Sequence, residues 1–178
     1  MVPSASDELV RRAKAGDRFA FDELAGPLVD QGFRLAYGML HDREAAEDAV
    51  QEATLRAWRK INNLRPGTEM RPWFLAIVAN QCRTTARGRW WSVIRLSAPS
   101  TPGTPDFEDE IVRGAELRAA LRRLSPDHRE ALVLRYYLDL SVEEVASITG
   151  VAVGTVKSRL NRGMAAMRPH FKPGEALI

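Results

Sequence analysis

Apolar residues recur at helical spacing along most of this chain, and short polar segments rich in glycine and proline interrupt them. The clearest stripe before residue 41 consists of Phe21, Leu24, Leu28, Leu35 and Met39. Residues spaced in this way lie on one face of an α-helix, and no segment shows the sustained alternation typical of a strand. The pattern therefore predicts an all-α protein.

Polar residues at the edges of these stripes predict where helices begin. Asp17 and Asp42 each precede an apolar-periodic segment and can accept hydrogen bonds from the free amides of a first turn. The pair Gly26-Pro27 falls inside the second segment and should kink or break it. The helices predicted for the first part of the chain cover about residues 7–15, 17–40, 42–61 and 72–87.

A change of composition at residues 92–110 predicts a flexible linker. The segment SAPSTPGTPDFEDE contains three of the ten prolines and ends in an acidic run. Such a composition does not favour regular structure. A chain of 178 residues can hold two small domains, so we predict one domain over residues 1–91 and a second over residues 111–178.

The stretch from Ser141 to Arg162 is typical of a helix-turn-helix. Ser141 and Glu144 have the spacing of a capping box, and Gly150 stands where a left-handed residue ends a helix. The outer side of the second helix is polar and basic, and it would fit a major groove. The residues predicted to face DNA are Thr155, Lys157, Ser158, Arg159 and Arg162. A helical hairpin with a solvated basic face is the alternative.

Charge and composition narrow the possible functions. The net charge is only +3, but acidic and basic residues form alternating blocks, which suggests several contact surfaces. Cys82 is the one cysteine, so no intramolecular disulfide is possible, and no apolar run approaches the length of a membrane span. We therefore expect a cytoplasmic protein. No nucleophile–base pair, metal spacing or phosphate-binding glycine loop predicts an enzyme, a metal or a cofactor.

Three stretches together resemble the extracytoplasmic-function (ECF) sigma factors, small two-domain initiation factors of bacteria. LSPDHREALVLRYYLDLSVEEVASITGVAVGTVKSRLNRG resembles their region 4, REAAEDAVQEATLRAWRKI resembles the region 2 helix, and MRPWFLAIVANQC resembles the segment that follows. These stretches occur in the family's order on both sides of the linker. The resemblance implies that RNA polymerase core, promoter DNA and an anti-sigma factor are partners.

The resemblance also implies roles for individual residues. The residues implied to contact core polymerase are Asp48, Gln51, Glu52, Thr54 and Trp58. Trp58 is equally well explained as a residue of the hydrophobic core of this domain. Capture of the melted −10 strand falls to Asn63, Arg71, Asn80, Arg83 and Arg87. The outer face of the helix-turn-helix would read the −35 element as duplex, whereas Trp73 and Phe74 are expected in the core.

The chain departs from the family pattern in several places. RTTARGRWW follows NQC, where many members carry an aspartate and an arginine run. Ala152 occupies the usual place of a capping serine, which should cost the recognition helix about 1 kcal/mol. The pair Trp90-Trp91 could pack on the first domain or form a surface that a partner covers. The acidic DFEDE could occupy a basic polymerase channel or act as a spacer.

A stand-alone helix-turn-helix regulator that binds an operator as a dimer is the second functional hypothesis. The first domain discriminates between the two hypotheses, since a plain repressor needs neither the AEDAVQEATLRAW helix nor the WFLAIVAN helix.

Overall fold

Every regular element in the described part of the chain is helical, which confirms the predicted all-α class. The computed structural model describes residues 5–65, 67–95 and 117–170. The four helices of the first domain are α1 (Ala5–Lys14), α2 (Arg18–Leu40), α3 (Arg43–Lys60) and α4 (Met70–Arg95), with a 3-10 turn at Ile61–Asn63. In the second domain, α5 includes residues 117–123, and it is followed by α6 (Pro126–Leu132), a π-helical turn (Val133–Tyr137), α7 (Val142–Thr149), α8 (Val153–Met167) and a 3-10 turn (Arg168–His170).

Side-chain caps begin these helices as the sequence predicts. The Asp17 carboxylate accepts from the Ala20 amide at 3.2 Å, and Asp42 accepts from the Ala45 amide at 2.9 Å. In α7 the Ser141 hydroxyl accepts from the Glu144 amide at 3.1 Å while the Glu144 carboxylate accepts from the Ser141 amide at 2.7 Å. These contacts satisfy amides that have no partner within the helix.

The structure corrects two sequence expectations about helix limits, a break at Pro27 and the end of α4. Pro27 does not break α2, which is continuous over 23 residues. Ala25 and Leu28 on either side of it are buried, and we attribute the continuity to packing of α2 on α3 and α4, which offsets the missing hydrogen bond. Helix α4 also extends beyond the predicted range 72–87, so its last four residues fall within the segment predicted as linker.

The first domain is a bundle in which α2, α3 and α4 pack on one another and α1 packs on α2. Gly32 allows α2 and α4 to approach closely, since a Cβ there would lie 3.2 Å from Phe74 and 3.3 Å from Val78. Phe74 is fully buried, as expected, and Trp73 is partly buried. The closeness of these helices leaves the polar sides of α3 and α4 on the surface.

The second domain is built on α6 and α8, with α7 packed against α8. Val145 on α7 and Val156 on α8 are fully buried. Gly150 has a φ of 72°, so the predicted left-handed turn joins α7 to α8. This arrangement holds α8 with its polar side outward.

The two domains contact each other directly. Helix α4 packs on α7, while α2 packs on α6 and on the π-helical turn. Met39 of the first domain and Val133 and Leu138 of the second belong to the same continuous apolar core. Most of the predicted linker, including the acidic DFEDE, lies outside the described residues, as do the side chains of Trp90 and Trp91.

Candidate functional site

A groove of about 780 Å³ separates α2 from α3 on the surface of the first domain. Val29 of α2 and Leu55 of α3 line the groove and remain 38% and 45% exposed, which is high for large apolar side chains in a folded domain. The polar and charged residues of the lining are Asp30, Arg43, Glu47, Gln51 and Thr54. A groove that combines exposed apolar side chains with polar and charged ones is suited to a helix or side chain from another protein.

Two of the five predicted polymerase-contact residues, Gln51 and Thr54, lie in this groove. Asp48 is exposed on the neighbouring stripe of α3, and Glu52 pairs with Arg56 at 2.8 Å. Trp58 is half-buried, and its ring meets Phe21 edge-on with centroids 5.2 Å apart. Trp58 therefore contributes to the packing of the first domain.

Sequence reasoning missed the apolar lining of this groove. Phe33 on α2 stands under the Arg43 guanidinium, 5.8 Å from the ring centroid, and Arg43 also pairs with Glu47 at 2.9 Å. The signal for the groove was Leu55, an apolar residue between polar neighbours on α3. The signal was not decisive because scattered apolar surface residues are common.

The predicted −10 residues divide into two groups. Asn63, Asn80 and Arg87 are exposed. Arg71 and Arg83 are only partly exposed, because both reach across to the second domain. The structure therefore does not present all five residues as one open surface.

Arg71 bridges three elements at the domain interface. Its Nε donates to Gln31 Oε1 of α2 at 2.8 Å, and Nη2 donates to the Leu138 carbonyl at 2.8 Å. Its Nη1 lies 4.0 Å from the Glu144 carboxylate. Arg71 thus donates two hydrogen bonds to protein acceptors and lies near a carboxylate of the second domain.

Arg83 makes the most buried ion pair of the described residues. Its Nη1 lies 2.5 Å from Oε1 of Glu130, whose side chain is only 2% exposed. Burial raises the pKa of the Glu130 carboxyl, and the positive charge of Arg83 opposes that rise. Arg83 also donates to Asn80 Oδ1 at 3.0 Å, so it links two predicted −10 residues.

Sequence analysis assigned no role to Arg129, which is a third interdomain arginine. Its Nη1 donates to the Met39 carbonyl at the end of α2, at 2.9 Å. Its other donors reach the carbonyls of Leu121, Arg122 and Leu124. No local motif marks such a residue, because its acceptors are main-chain groups that the fold brings together.

The recognition helix α8 presents Thr155, Lys157 and Arg162 to solvent, while Ser158 and Arg159 are partly buried. Arg159 Nη2 lies 2.5 Å from the Asp127 carboxylate of α6. Ala152 occupies the N-cap of α8 without a side-chain hydrogen bond, as the sequence predicts. The outer face of α8 is thus polar and cationic, with one cation held by a carboxylate.

Within the described ranges, no group of three or more potential ligands is arranged to hold a metal ion. The same residues include no helix long and apolar enough to cross a membrane.

A helical bundle with an open groove, joined to a helix-turn-helix domain, defines a two-domain DNA-binding protein. Residues 26–92 match the family described as Sigma-70 region 2, and residues 114–167 match Sigma-70, region 4. The chain belongs to the ECF sigma factors of the sigma-70 family.

Curated relatives agree with this assignment. The chain is 35% identical over 169 residues to ECF RNA polymerase sigma factor SigE of Mycolicibacterium smegmatis, a match covering 88% of this chain and 64% of SigE. It is 30% identical to RNA polymerase sigma-H factor of Pseudomonas aeruginosa, with 97% of each chain covered. It is 37% identical to EcfG of Rhodopseudomonas palustris, with 74% of each covered.

Solved structures show the same fold. The sigma factor RpoE from Bartonella quintana, determined in complex with the anti-sigma factor NepR, is 26% identical and has a TM-score of 0.71. That match covers 87% of this chain and 98% of RpoE. CnrH, determined with the cytosolic domain of CnrY, has a TM-score of 0.73 at 22% identity, covering 93% of this chain and 96% of CnrH.

Proposed function

We propose that this chain binds RNA polymerase core through the α2–α3 groove, directs it to promoters through α4 and α8, and assists promoter melting. The observation that carries the proposal is the presence of an exposed apolar groove and an outward-facing recognition helix in separate domains of one chain. A DNA-reading domain alone would not need the groove. A factor that delivers polymerase to DNA needs both.

The groove suits a partner helix that carries cations. Exposed Val29 and Leu55 provide apolar area, and exposed Asp48 together with the amide of Gln51 supplies acceptors beside it. Charged groups at the rim favour encounter and orientation, while apolar contact supplies affinity. We assign Asp48, Gln51, Glu52 and Thr54 to this contact. We assign Trp58 to the packing of α3 against Phe21 of α2.

The two DNA contacts differ in kind. Asn63, Asn80 and Arg87 on the exposed side of the first domain, together with Arg71 and Arg83, are proposed to hold the unpaired −10 strand through charge and hydrogen bonds. Thr155, Lys157, Ser158, Arg159 and Arg162 on α8 are proposed to bind the −35 duplex through base edges and phosphates. About four phosphate-facing cations would give a log–log salt slope of roughly −3.6. Binding of the isolated protein to promoter DNA should therefore be weak, and bound core polymerase would strengthen it by adding its own contact with the DNA.

Sigma factors are non-enzymatic transcription factors. We propose that this chain likewise has no catalytic activity of its own, acts in the cytoplasm and is restrained by an anti-sigma factor. RpoE of Bartonella quintana, of the same fold, was determined with such a partner.

Run-off transcription tests the proposal. Purified core polymerase and genomic fragments are incubated with and without the protein, and we expect discrete transcripts only in its presence. The matched control is the double variant Asp48→Arg/Gln51→Ala, which changes exposed groups and should keep the wild-type circular dichroism spectrum while losing co-purification with core. Operator binding as a dimer, with no core-dependent transcript, would instead establish a stand-alone regulator.

A further inference from the structure

A residue of α1 holds the 3-10 turn that carries Asn63. Lys14, the last residue of α1, donates from Nζ to the Leu64 carbonyl at 2.5 Å. Leu64 directly follows Asn63 and closes the turn, because its amide donates to the Ile61 carbonyl at 3.1 Å. The Lys14 bond therefore joins α1 to the main chain beside a residue that is proposed to hold the −10 strand.

Two buried side chains anchor the same turn from inside the bundle. Ile61 and Leu64 are buried, whereas Asn62 and Asn63 between them are exposed. Helix α1 packs directly on this turn. Apolar contacts fix how deeply the turn sits, but they are not directional, so hydrogen bonds determine how its main chain is oriented. At Leu64 the donor that orients the main chain is Lys14.

The Leu64 carbonyl follows the C-terminal end of α3, where helix geometry leaves carbonyls without an amide partner. An ammonium group at such a carbonyl makes a charge-assisted hydrogen bond, and its charge suits the negative end of the helix dipole. Without Lys14, this part-buried carbonyl would lose its donor, which is unfavourable. We therefore expect the turn to shift until water reaches the carbonyl.

Lys14 itself lies at a well-fixed corner between α1 and α2. Arg12 donates from Nε and Nη2 to Oδ2 of Asp17 at 2.9 and 2.7 Å, and Oδ1 of Asp17 caps α2. Gly16 reverses the chain with a φ of 94°, a conformation that suits glycine. Because this corner fixes the backbone of Lys14 relative to α2, the Lys14 side chain can fix the turn relative to the rest of the bundle.

We propose that Lys14 is a positioning residue for promoter opening, which holds Asn63 in place for the unpaired −10 strand through its bond to the Leu64 carbonyl. The inference deepens the proposed function and rests on it. Lys14 precedes residues 26–92, the part of the chain that matches Sigma-70 region 2, so that match assigns it no role. Lys14 and Leu64 are 50 residues apart, and only the fold brings them together.

Lys14→Met tests the inference, because methionine has a similar length but no donor. Core polymerase is assembled with the variant, and promoter opening is measured by permanganate oxidation of unpaired thymines on a promoter found by run-off transcription. We expect opening to fall about tenfold, a loss typical of removing one hydrogen bond to a charged group. Affinity for the −35 duplex should stay at the wild-type value. Lys14→Arg keeps a cationic donor and should retain most of the opening.

Arg11→Met is the matched control. Arg11 is exposed on the same helix, and its Nε bonds to Glu8 within α1 at 2.9 Å rather than to the turn. This variant removes the same charge and should open promoters as the wild type does. If circular dichroism shows that Lys14→Met does not fold, Lys14→Gln, which keeps a polar side chain without the positive charge, replaces it in the same assays.

A double-mutant cycle with Asn63→Ala separates positioning from general stability. If Lys14 acts through the turn, Lys14→Met should add little to the loss that Asn63→Ala causes alone, since both changes disable the same contact. Losses that multiply would overturn the inference, as would full opening by Lys14→Met or by Asn63→Ala, or an equal loss in Arg11→Met. Absence of a core-dependent transcript with the wild-type protein would instead contradict the proposed function.

Discussion

Arg83 on α4 and Glu130 on α6 form an ion pair across the domain interface, with 2.5 Å between Nη1 and Oε1. The carboxylate is almost completely removed from solvent, and burial raises its pKa even though the guanidinium is adjacent. Removing one partner of a buried pair costs more than the pair itself contributes, because the remaining charge stays desolvated. The pair should therefore couple the stabilities of the two domains.

A double-mutant cycle on Arg83→Met and Glu130→Gln measures this coupling. We expect each single variant to lower the free energy of unfolding by about 1–3 kcal/mol, and the double variant to lose less than the sum because no unpaired charge remains. Urea unfolding followed by circular dichroism provides the values. Additivity within about 0.5 kcal/mol would show that the two side chains do not interact in solution.

The contrast between the helix caps and this ion pair shows what the sequence could predict. Asp17, Asp42 and Ser141 bond to amides three residues away, so their roles follow from local order alone. Arg83 and Glu130 are 47 residues apart, and only the packing of α4 on the second domain brings them together. The −10 role that the resemblance implies for Arg83 stays a prediction, and its partner Glu130 was not predictable from the sequence.

The contrast between local and long-range contacts also explains the other differences between the sequence predictions and the structure. Pro27 suggested a break because its local cost was visible in the sequence, while the packing of α2 that offsets this cost was not. Gln51 and Thr54 were predicted through resemblance to contact polymerase, whereas the apolar lining that makes their surface a groove comes partly from α2. A feature formed by two helices that are distant in the sequence can be recognised only when the fold is known.

Leu55→Asp tests whether the groove binds polymerase. Leu55 is 45% exposed and lines the groove, so a carboxylate there should place an unfavourable charge against an apolar partner surface and weaken core binding at least tenfold. Stability should change little, because nearly half of Leu55 is already exposed in the free protein. Phe19→Asp is the control, since Phe19 is 85% exposed and outside the groove lining. Biolayer interferometry with core polymerase supplies the affinities, and equal losses for both variants would argue against the groove.

Arg159 is predicted to contribute sequence-specific contact at the −35 element. Arg159→Ala should weaken binding to promoters with the cognate −35 sequence by about 1–3 kcal/mol, and transcription from them should fall accordingly. On promoters that lack this sequence the loss should be smaller. Lys157→Ala, which removes an exposed cation on the same helix, should reduce transcription from both classes of promoter alike.

Asp127→Asn should strengthen DNA binding several-fold, because the Asp127 carboxylate pairs with Arg159 at 2.5 Å in the free protein. Weaker binding by Asp127→Asn would show that Asp127 orients Arg159 rather than competing with DNA.

His41 should make the stability of the protein sensitive to acid. Burial, and then the charges of Arg129, Arg122 and Arg118, lower its pKa from 6.5 to about 4. Between these two values the unfolded chain binds a proton that the folded chain does not bind, so stability falls as the pH drops from about 7 to about 4.

The control for this effect is His41→Asn, since asparagine tolerates the left-handed backbone at His41, where φ is 54°. The difference in unfolding free energy between wild type and variant should be flat above about pH 7.5 and should decrease toward pH 4, with a slope below about 1.4 kcal/mol per pH unit. The raised pKa of Glu130 affects both proteins alike and cancels in the difference. A difference that does not vary with pH would contradict the assignment of a depressed pKa to His41.

Ala152→Ser should stabilise the recognition helix. Ala152 has an extended backbone, with φ −63° and ψ 149°, and no side-chain acceptor for the first amides of α8. A serine hydroxyl at an N-cap contributes about 1 kcal/mol relative to alanine. The reciprocal change, Ser141→Ala, removes the hydroxyl that accepts from the Glu144 amide in α7 and should cost a similar amount. Urea unfolding of both variants should therefore shift in opposite directions by comparable free energies. If Ala152→Ser leaves stability unchanged, the amides at the start of α8 are already satisfied by solvent, and the missing cap is not a weakness of this helix.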